Sequence, residues 1–154
     1  MTPKFHIPSI IGILTTVLIL LQTPSLADAK IFTKCDLAKE LGKNGISRTF
    51  YGHWICLANA ESGLDTSKVS PRFPNQSASY GIFQINSKEW CREGRKGGKC
   101  NMKCEDFLDD KITDDIDCVK KIQMQYGFNG WPVWVKKCKD KPANIPDISK
   151  CTNV

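Results

Sequence analysis

The chain has 154 residues, and 22 Lys and Arg against 16 Asp and Glu give it a formal net charge of +6. A basic protein is attracted to anionic surfaces such as bacterial walls, lipids or nucleic acid. Its densest basic cluster, Arg92, Arg95, Lys96 and Lys99, lies in a Gly-rich loop with no aromatic residue interleaved; this pattern favours a solvated loop and argues against a nucleic-acid site.

The first 29 residues are predicted to be a secretory signal. Lys4 provides a charged start, an apolar stretch runs from Ile10 to Leu21, and a small-residue A-D-A motif closes the segment. A membrane-spanning helix needs about 20 apolar residues, more than this stretch supplies, and no later segment is apolar enough to span. We therefore expect no membrane span and one secreted domain, residues 30–154, long enough to bury a core.

All eight cysteines lie in the expected mature part, and an even count in a secreted chain predicts four disulfides. Zinc is the competing interpretation. The chain has only two His, one of them His6 in the signal, and the cysteines are not grouped in metal-ligand pairs. Eight cysteines allow on the order of a hundred pairings, so their spacing leaves the connectivity open.

In chain order, helices come first. A helical face is formed by Cys35, Ala38 and Leu41. We expect Gly42 to stop this helix. A second helix is predicted over about Tyr51 to Ser62, with Gly63 closing it.

Residues 64–100 have a different texture, with frequent Pro, Gly, Ser and Asn and short strand-like runs between turns. Within them, NQSASYGIFQINS (residues 75–87) has no charged side chain. Phe83 and Ile85 alternate there with polar residues, which is typical of a strand with a hydrogen-bonding face.

After Cys104 the pattern is helical again. Apolar residues spaced by three or four are Ile112, Ile116, Val119 and Ile122. A last short helix is predicted from Trp131, Trp134, Val135 and Cys138, with Pro132 in its first turn. Helices on both sides of a strand-rich insert predict an α+β domain with two lobes, and a ligand cleft between them.

Glu61 is the first candidate for chemistry, a lone carboxylate in the uncharged run WICLANAES. Apolar neighbours such as Ile55 and Leu57 would disfavour its charged form and raise its pKa, so that it donates a proton near neutral pH. A solvated glutamate at a helix end is the alternative, and from the residues alone it is the commoner situation.

Four stretches resemble the chicken-type (c-type) lysozymes: KIFTKCDLAKEL, GHWICLANAESG, SYGIFQINS followed by WC, and CVKKI before W-x-x-W. The resemblance covers essentially the whole mature chain. It implies the lysozyme fold: an α-helical lobe, a small antiparallel β lobe over about residues 64–100, and a glycan cleft between them. It also implies the disulfides Cys35–Cys151, Cys56–Cys138, Cys91–Cys104 and Cys100–Cys118.

The resemblance implies residue roles as well. The glutamate of A-x-x-E-S is the family's general acid, here Glu61, in the two-carboxylate mechanism for which lysozyme is the type case. Trp131 would pack near Glu61 and raise its pKa. The substrate contacts implied are Gln84 and Asn86 on the cleft floor, and Trp90 and the Gly130 backbone for N-acetylated sugars.

Two positions depart from the family pattern. Ser79 stands where the family has its second catalytic aspartate; a neutral hydroxyl cannot balance an oxocarbenium ion, so we expect reduced activity. If Ser79 instead positions an attacking water, the enzyme would be inverting. Glu89, before Trp90, replaces the aromatic residue of many relatives and would weaken one sugar subsite. Asp65 is the one other candidate carboxylate, and it follows Glu61 too closely to reach the strand.

The segment DFLDDKITDD, residues 106–115, packs five aspartates into ten residues. Helix capping by Thr113, Asp114 and Asp115 explains two or three acids; a calcium ion, which takes about six to eight oxygens, explains all five. The segment resembles the calcium loop of α-lactalbumins and calcium-binding lysozymes. That resemblance implies three side-chain ligands, Asp109, Asp114 and Asp115. It also implies two backbone carbonyl ligands, those of Asp106 and Lys111. The ion would be structural, with no cofactor needed for catalysis.

Three functions remain open. The first is a secreted, monomeric, bacteriolytic glycosidase that hydrolyses β-1,4 links of peptidoglycan, an N-acetylmuramidase of reduced activity. The second is an inactive protein that binds N-acetylglucosamine-containing glycan, in immunity or on a gamete surface. The third is an α-lactalbumin-like regulatory partner, against which the retained Glu61 argues. Ser79 favours the second function, whereas Glu61, Asn86 and Trp131 favour the first, which we expect.

Overall fold

The computed structural model describes residues 29–151, and the predicted signal lies outside this part except for its last residue. The helices are α1 (Lys34–Lys43), α2 (Tyr51–Ser62), α3 (Thr113–Tyr126) and the short α4 (Pro132–Trp134), which continues as a π-helical turn, Val135–Lys139. Short 3-10 helices are Arg48–Phe50, Cys104–Leu108, Gly127–Gly130 and Pro142–Asn144. Within residues 29–151, no helix is long and apolar enough to cross a membrane.

Helix α1 does not stop at Gly42, so that prediction is wrong. The helix starts at a Thr33 cap, whose Oγ1 accepts a hydrogen bond from the Asp36 N–H at 3.1 Å, and it ends only at Lys43. The left-handed residue is Gly45, with φ of +76°. Gly42 serves packing instead, because a Cβ there would lie 2.4 Å from the Tyr51 hydroxyl oxygen.

Helix α2 is the central helix, and its predicted limits are confirmed. It runs from Tyr51 to Ser62 and ends at Gly63, whose φ is +71°. Its buried side chains point in several directions and include Trp54, Ile55, Leu57 and Ala58. A helix that is apolar on all sides is enclosed by the rest of the domain. Glu61 therefore lies in the last turn of the best-buried helix.

The strand predicted within residues 75–87 is in fact a small hairpin. Strands β1 (Ser79–Tyr80) and β2 (Ile85–Asn86) pair antiparallel, with Ser79 opposite Asn86. Between them Gly81 has φ of +74°, and a Cβ on Gly81 would lie 2.2 Å from the Phe107 carbonyl oxygen. Only glycine fits this turn, so the alternating pattern is interrupted in the middle of the predicted strand.

The four disulfides have the pairing that the resemblance implied, which is confirmed for Cys35–Cys151, Cys56–Cys138, Cys91–Cys104 and Cys100–Cys118. The first two link α1 and α2 to the C-terminal part of the chain. The other two hold the segment after the hairpin and attach it to α3. The α+β architecture, a helical lobe with a small antiparallel sheet, is confirmed.

An aromatic cluster joins the helices to the hairpin. The Trp54 ring of α2 meets the rings of Phe83 and Trp131 edge-on, with centroids 5.8 and 5.5 Å away. Phe128, after α3, lies 4.7 Å from the same ring. Phe83 belongs to the hairpin turn, so this packing fixes the hairpin relative to α2 and to the segment that carries Trp131.

Candidate active site

Glu61 lies where α2 meets the turn of the hairpin. The hydroxyl of the next residue, Ser62, donates to the carbonyl oxygen of Ile82 at 2.8 Å. Ile82 belongs to the turn between β1 and β2. The end of the helix is therefore fixed to the β hairpin, and Glu61 stands at the junction of the two.

Burial sets the protonation of Glu61. The side chain is half-buried, and loss of hydration raises its pKa from 4.5 to about 7. Among residues 29–151, no hydrogen bond or ion pair to its carboxylate offsets this effect. Glu61 therefore keeps a large protonated fraction near neutral pH, as a general acid must.

Trp131 is anchored to the same turn. Its indole Nε1–H donates to the Phe83 carbonyl oxygen at 3.0 Å, in a buried hydrogen bond. Ser62, the neighbour of Glu61, is bonded to the adjacent residue of the turn, Ile82. Ser62 and Trp131 thus bond consecutive residues of one turn, which places Trp131 and the helix end that carries Glu61 at the same helix–hairpin junction.

Ser79 and Asn86 face each other across the hairpin. The Asn86 Nδ2 donates to the Ser79 Oγ at 3.1 Å, and the Asn86 Oδ1 accepts from the Lys88 N–H at 2.8 Å. The Ser79 N–H donates to the Ser70 Oγ at 2.9 Å. Within the described chain, no base accepts the Ser79 hydroxyl proton, so this serine is not an activated nucleophile.

An open groove of about 720 Å³ lies between two parts of the chain. One wall is formed by the loop before β1 and the residues after β2, and the other by the segment after α3. The groove is lined by Phe73, Pro74, Asn75, Ser77, Asn86, Lys88, Gly130 and Pro132. Two predicted contact residues, Asn86 and Gly130, thus line this groove. Among the described residues, its lining does not include Glu61, Ser79 or Trp131.

Sequence reasoning missed the loop wall of this groove. Phe73 is 44% exposed, although an aromatic side chain usually packs inside. The signal was present, because Phe73 and Pro74 form an apolar pair in a polar segment. A second omission is Ser70, whose hydroxyl positions the Ser79 backbone.

Three further side chains have positions that limit their roles. Gln84 donates through Nε2 to the carbonyl oxygens of Lys68 and Gly81, at 3.0 and 2.9 Å, so its amide nitrogen braces the turn. Asp65 accepts the Ser67 N–H at 2.8 Å in a turn of its own. Trp90, predicted to contact N-acetylated sugars, is only 6% exposed.

The aspartate-rich loop contains an unusual buried acid. Asp115, in the first turn of α3, is fully buried, and neither carboxylate oxygen has a hydrogen-bond partner within residues 29–151. Burial, followed by the charge of Asp114, raises the pKa of Asp115 well above its usual range. Among residues 29–151, no three His, Cys, Asp or Glu side chains gather at metal-binding distance. The Asp109 Oδ1 instead accepts a hydrogen bond from the Lys111 N–H at 2.8 Å.

Comparisons with known proteins agree with this architecture. The model of the C-type lysozyme/alpha-lactalbumin family matches residues 30–151. Lysozyme c-1 of Anopheles gambiae is 42% identical over 137 residues, 89% of this chain and 96% of that protein. The lysozyme of Bombyx mori is 43% identical over 126 residues, 81% of this chain and 89% of that protein.

Solved structures give the same result. The crystal structure of lysozyme from Equus asinus has a TM-score of 0.67 and 35% identity, covering 80% of this chain and 99% of that one. A canine milk lysozyme has the same TM-score and 39% identity, covering 79% and 95%. The lysozyme fold is confirmed, and the chain belongs to the C-type lysozyme/α-lactalbumin family.

Proposed function

We propose that this protein is a secreted, monomeric, lysozyme-like glycosidase that cleaves β-1,4 links of peptidoglycan slowly, with Glu61 as its general acid. One observation carries the proposal: a half-buried carboxyl with a pKa of about 7 stands where α2 meets the hairpin. An inactive binding protein has no need of such an acid. The names of the relatives support glycosidase chemistry, and four disulfides suit an extracellular protein.

The reaction would begin with proton transfer from the Glu61 carboxyl to the glycosidic oxygen, which makes the leaving sugar neutral. As the family resemblance implies, we place the Ser79 hydroxyl on the opposite face of the sugar, where the Asn86 amide holds it at 3.1 Å. Because Ser79 is not activated, we propose that it holds a water, which adds to the oxocarbenium-like carbon from this face after the leaving sugar departs and releases its proton to solvent, so that the product is inverted. The missing negative charge leaves the oxocarbenium-like transition state poorly stabilised, hence the slow rate.

Substrate contacts would come from both walls of the groove. Asn86 and the Gly130 backbone offer polar groups that suit the acetamido group of an N-acetylated sugar. Phe73, exposed on the loop wall, offers an aromatic face for the C–H side of a sugar ring. The formal charge of +6 favours approach to the anionic bacterial wall.

The pH dependence of turnover tests this proposal. Catalysis needs protonated Glu61, so turnover should fall about tenfold per pH unit above the pKa of about 7. The folded state disfavours the charged form of Glu61. The contribution of Glu61 to the free energy of unfolding is therefore largest below pH 4.5 and is lost as the pH rises through 7. Carboxyl ¹³C NMR should show one glutamate titrating near 7, absent in Glu61→Gln. Turnover that keeps rising to pH 9 would contradict the assignment.

The second candidate function is glycan binding without hydrolysis. It is favoured by one observation, the lack of a base beside the Ser79 hydroxyl among the described residues. In that case the groove would retain glycan while neither the wild type nor any Glu61 variant released reducing ends.

We also propose a structural calcium ion in the loop of residues 106–115. The fully buried Asp115, with two unpartnered oxygens, supports it, because a buried carboxylate without a partner is costly unless a cation neutralises it. The pKa of Asp114 also supports a cation: burial, and then the charges of Asp109 and Asp106, raise this pKa. Three carboxylates and the carbonyls of Asp106 and Lys111 would form a calcium-type oxygen set. Because these side chains do not yet converge, binding would have to draw them together.

Calcium removal should therefore lower thermal stability. Saturating calcium should raise the melting temperature of the wild type by about 5–10 °C over chelated protein. In Asp114→Asn the shift should disappear, whereas Asp117→Asn, an exposed acid on the same helix, should keep it. Equal melting temperatures with calcium and with EDTA would leave helix capping as the explanation of the acidic loop.

A further inference from the structure

A network of side chains joins the segment after β2 to the last turn of α3. From the β side, the Glu89 carboxylate accepts hydrogen bonds from the Lys99 Nζ and from the Tyr126 hydroxyl, the latter at 3.1 Å. Lys99 also donates to the Gln125 Oε1 at 3.0 Å. Tyr126 and Gln125 belong to the last turn of α3. We call Glu89, Lys99, Gln125 and Tyr126 the clasp.

The clasp connects residues next to the groove lining on both sides. Glu89 directly follows Lys88, which lines the groove. Tyr126 packs on Gly130, which lines the other wall: a Cβ added to this glycine would lie 3.2 Å from the Tyr126 Cβ. The network therefore links the segments that carry the two walls, which are 37 residues apart in sequence.

The clasp also covers Trp90. The Lys99 ammonium lies 5.1 Å from the centre of the Trp90 ring, and Tyr126 meets that ring edge-on with centroids 6.2 Å apart. With 6% of the residue exposed, the indole face is not open to a sugar. The Trp90 backbone N–H donates to the Asn86 carbonyl oxygen at 3.1 Å, so the residue that carries the covered ring is tied to a groove residue.

The clasp is able to open because its contacts are exposed. The Lys99 and Glu89 side chains are 46% and 34% accessible, and ion pairs in water contribute little to stability. Opening breaks these few contacts, whereas the backbone around Trp90 is held by the Cys91–Cys104 and Cys100–Cys118 disulfides.

We infer that the clasp sets the length of glycan that the groove accepts. Closed, it limits the groove to short N-acetylated oligosaccharides; open, it exposes Trp90 as one more stacking face, so longer chains bind only after it opens. The inference rests on the proposed function. Because binding then requires the open state, the apparent affinity for longer chains is reduced by the fraction of molecules that are open.

Removing the centre of the clasp tests this inference. In Glu89→Ala, chitopentaose should bind about fivefold more tightly than to the wild type, while chitotriose binding stays unchanged. Tyr126→Phe removes one contact and should give a smaller gain. Glu40→Ala breaks an exposed ion pair with Lys43 on α1 and should leave the affinity for both sugars unchanged. Calorimetric titration measures all four proteins.

Acrylamide quenching of tryptophan fluorescence provides a readout without ligand. Trp54, Trp131 and Trp134 are buried too, so added quenching in Glu89→Ala reports an uncovered Trp90. If the wild type binds chitotriose but Glu89→Ala gains neither quenching nor pentaose affinity, the clasp inference is overturned and the proposed function stands. If no variant binds either sugar, the proposed function fails and the inference fails with it.

Discussion

Replacing Ser79 by aspartate should raise peptidoglycan turnover by roughly 100- to 1,000-fold. A carboxylate there would place negative charge beside the oxocarbenium-like transition state, opposite the Glu61 proton donor. The site is prepared for it, because the Asn86 Nδ2 that donates to the Ser79 Oγ would donate to the new carboxylate. The gain corresponds to about 2.7–4 kcal/mol of transition-state stabilisation.

The matched control is Ser79→Asn, which has nearly the same shape as aspartate but no charge. It should not exceed the wild-type rate, because the proposed gain depends on charge and the hydroxyl proposed to hold the attacking water is lost as well. Ser79→Asp must also remain folded with a wild-type circular dichroism spectrum, since the position is buried. A folded Ser79→Asp protein that binds glycan and turns over no faster would show that the defect extends beyond this residue.

Glu61→Gln should lower turnover by roughly 100- to 10,000-fold while glycan binding remains. The amide has the size of the carboxyl but cannot protonate the leaving oxygen. The measurement is the rate of chito-oligosaccharide cleavage alongside the affinity for the same sugar. Because a half-buried carboxyl with a raised pKa is replaced by a neutral group, stability above pH 7 should rise.

Glu40→Gln, on α1, controls for the loss of a glutamate elsewhere and should leave the rate unchanged. Equal loss of rate and binding in Glu61→Gln would point to a damaged groove. No loss of rate would exclude Glu61 as the acid.

The helices were predictable because their signals are local. The limits of α2 follow from its apolar run and from Gly63, which supplies the left-handed conformation that ends the helix. The prediction for α1 failed because the role of Gly42 is not local: its missing side chain leaves room for the hydroxyl of Tyr51. That contact depends on how two helices pack, and no local pattern contains it. The disulfide pairs were correct through the family resemblance, since spacing left them open.

In the site, too, residue identities could be predicted from sequence, whereas properties that depend on tertiary contacts could not. Glu61 could be named from sequence, but its pKa of about 7 depends on burial against the hairpin, which is a tertiary property. Trp90 was expected to contact an N-acetylated sugar, yet side chains from Lys99 and Tyr126 cover its ring. Gln84 was placed on a strand face, and the turn at Gly81 redirected it. Contacts between distant segments decided each case.

The most direct test of the account is the release of reducing ends from purified peptidoglycan by the disulfide-intact protein, next to Glu61→Gln. We predict slow turnover by the wild type that disappears in the variant, which would show that Glu61 works as an acid although position 79 carries no carboxylate. No release by the wild type, with glycan still retained, would contradict the account. The groove would then be a binding site in a lysozyme fold.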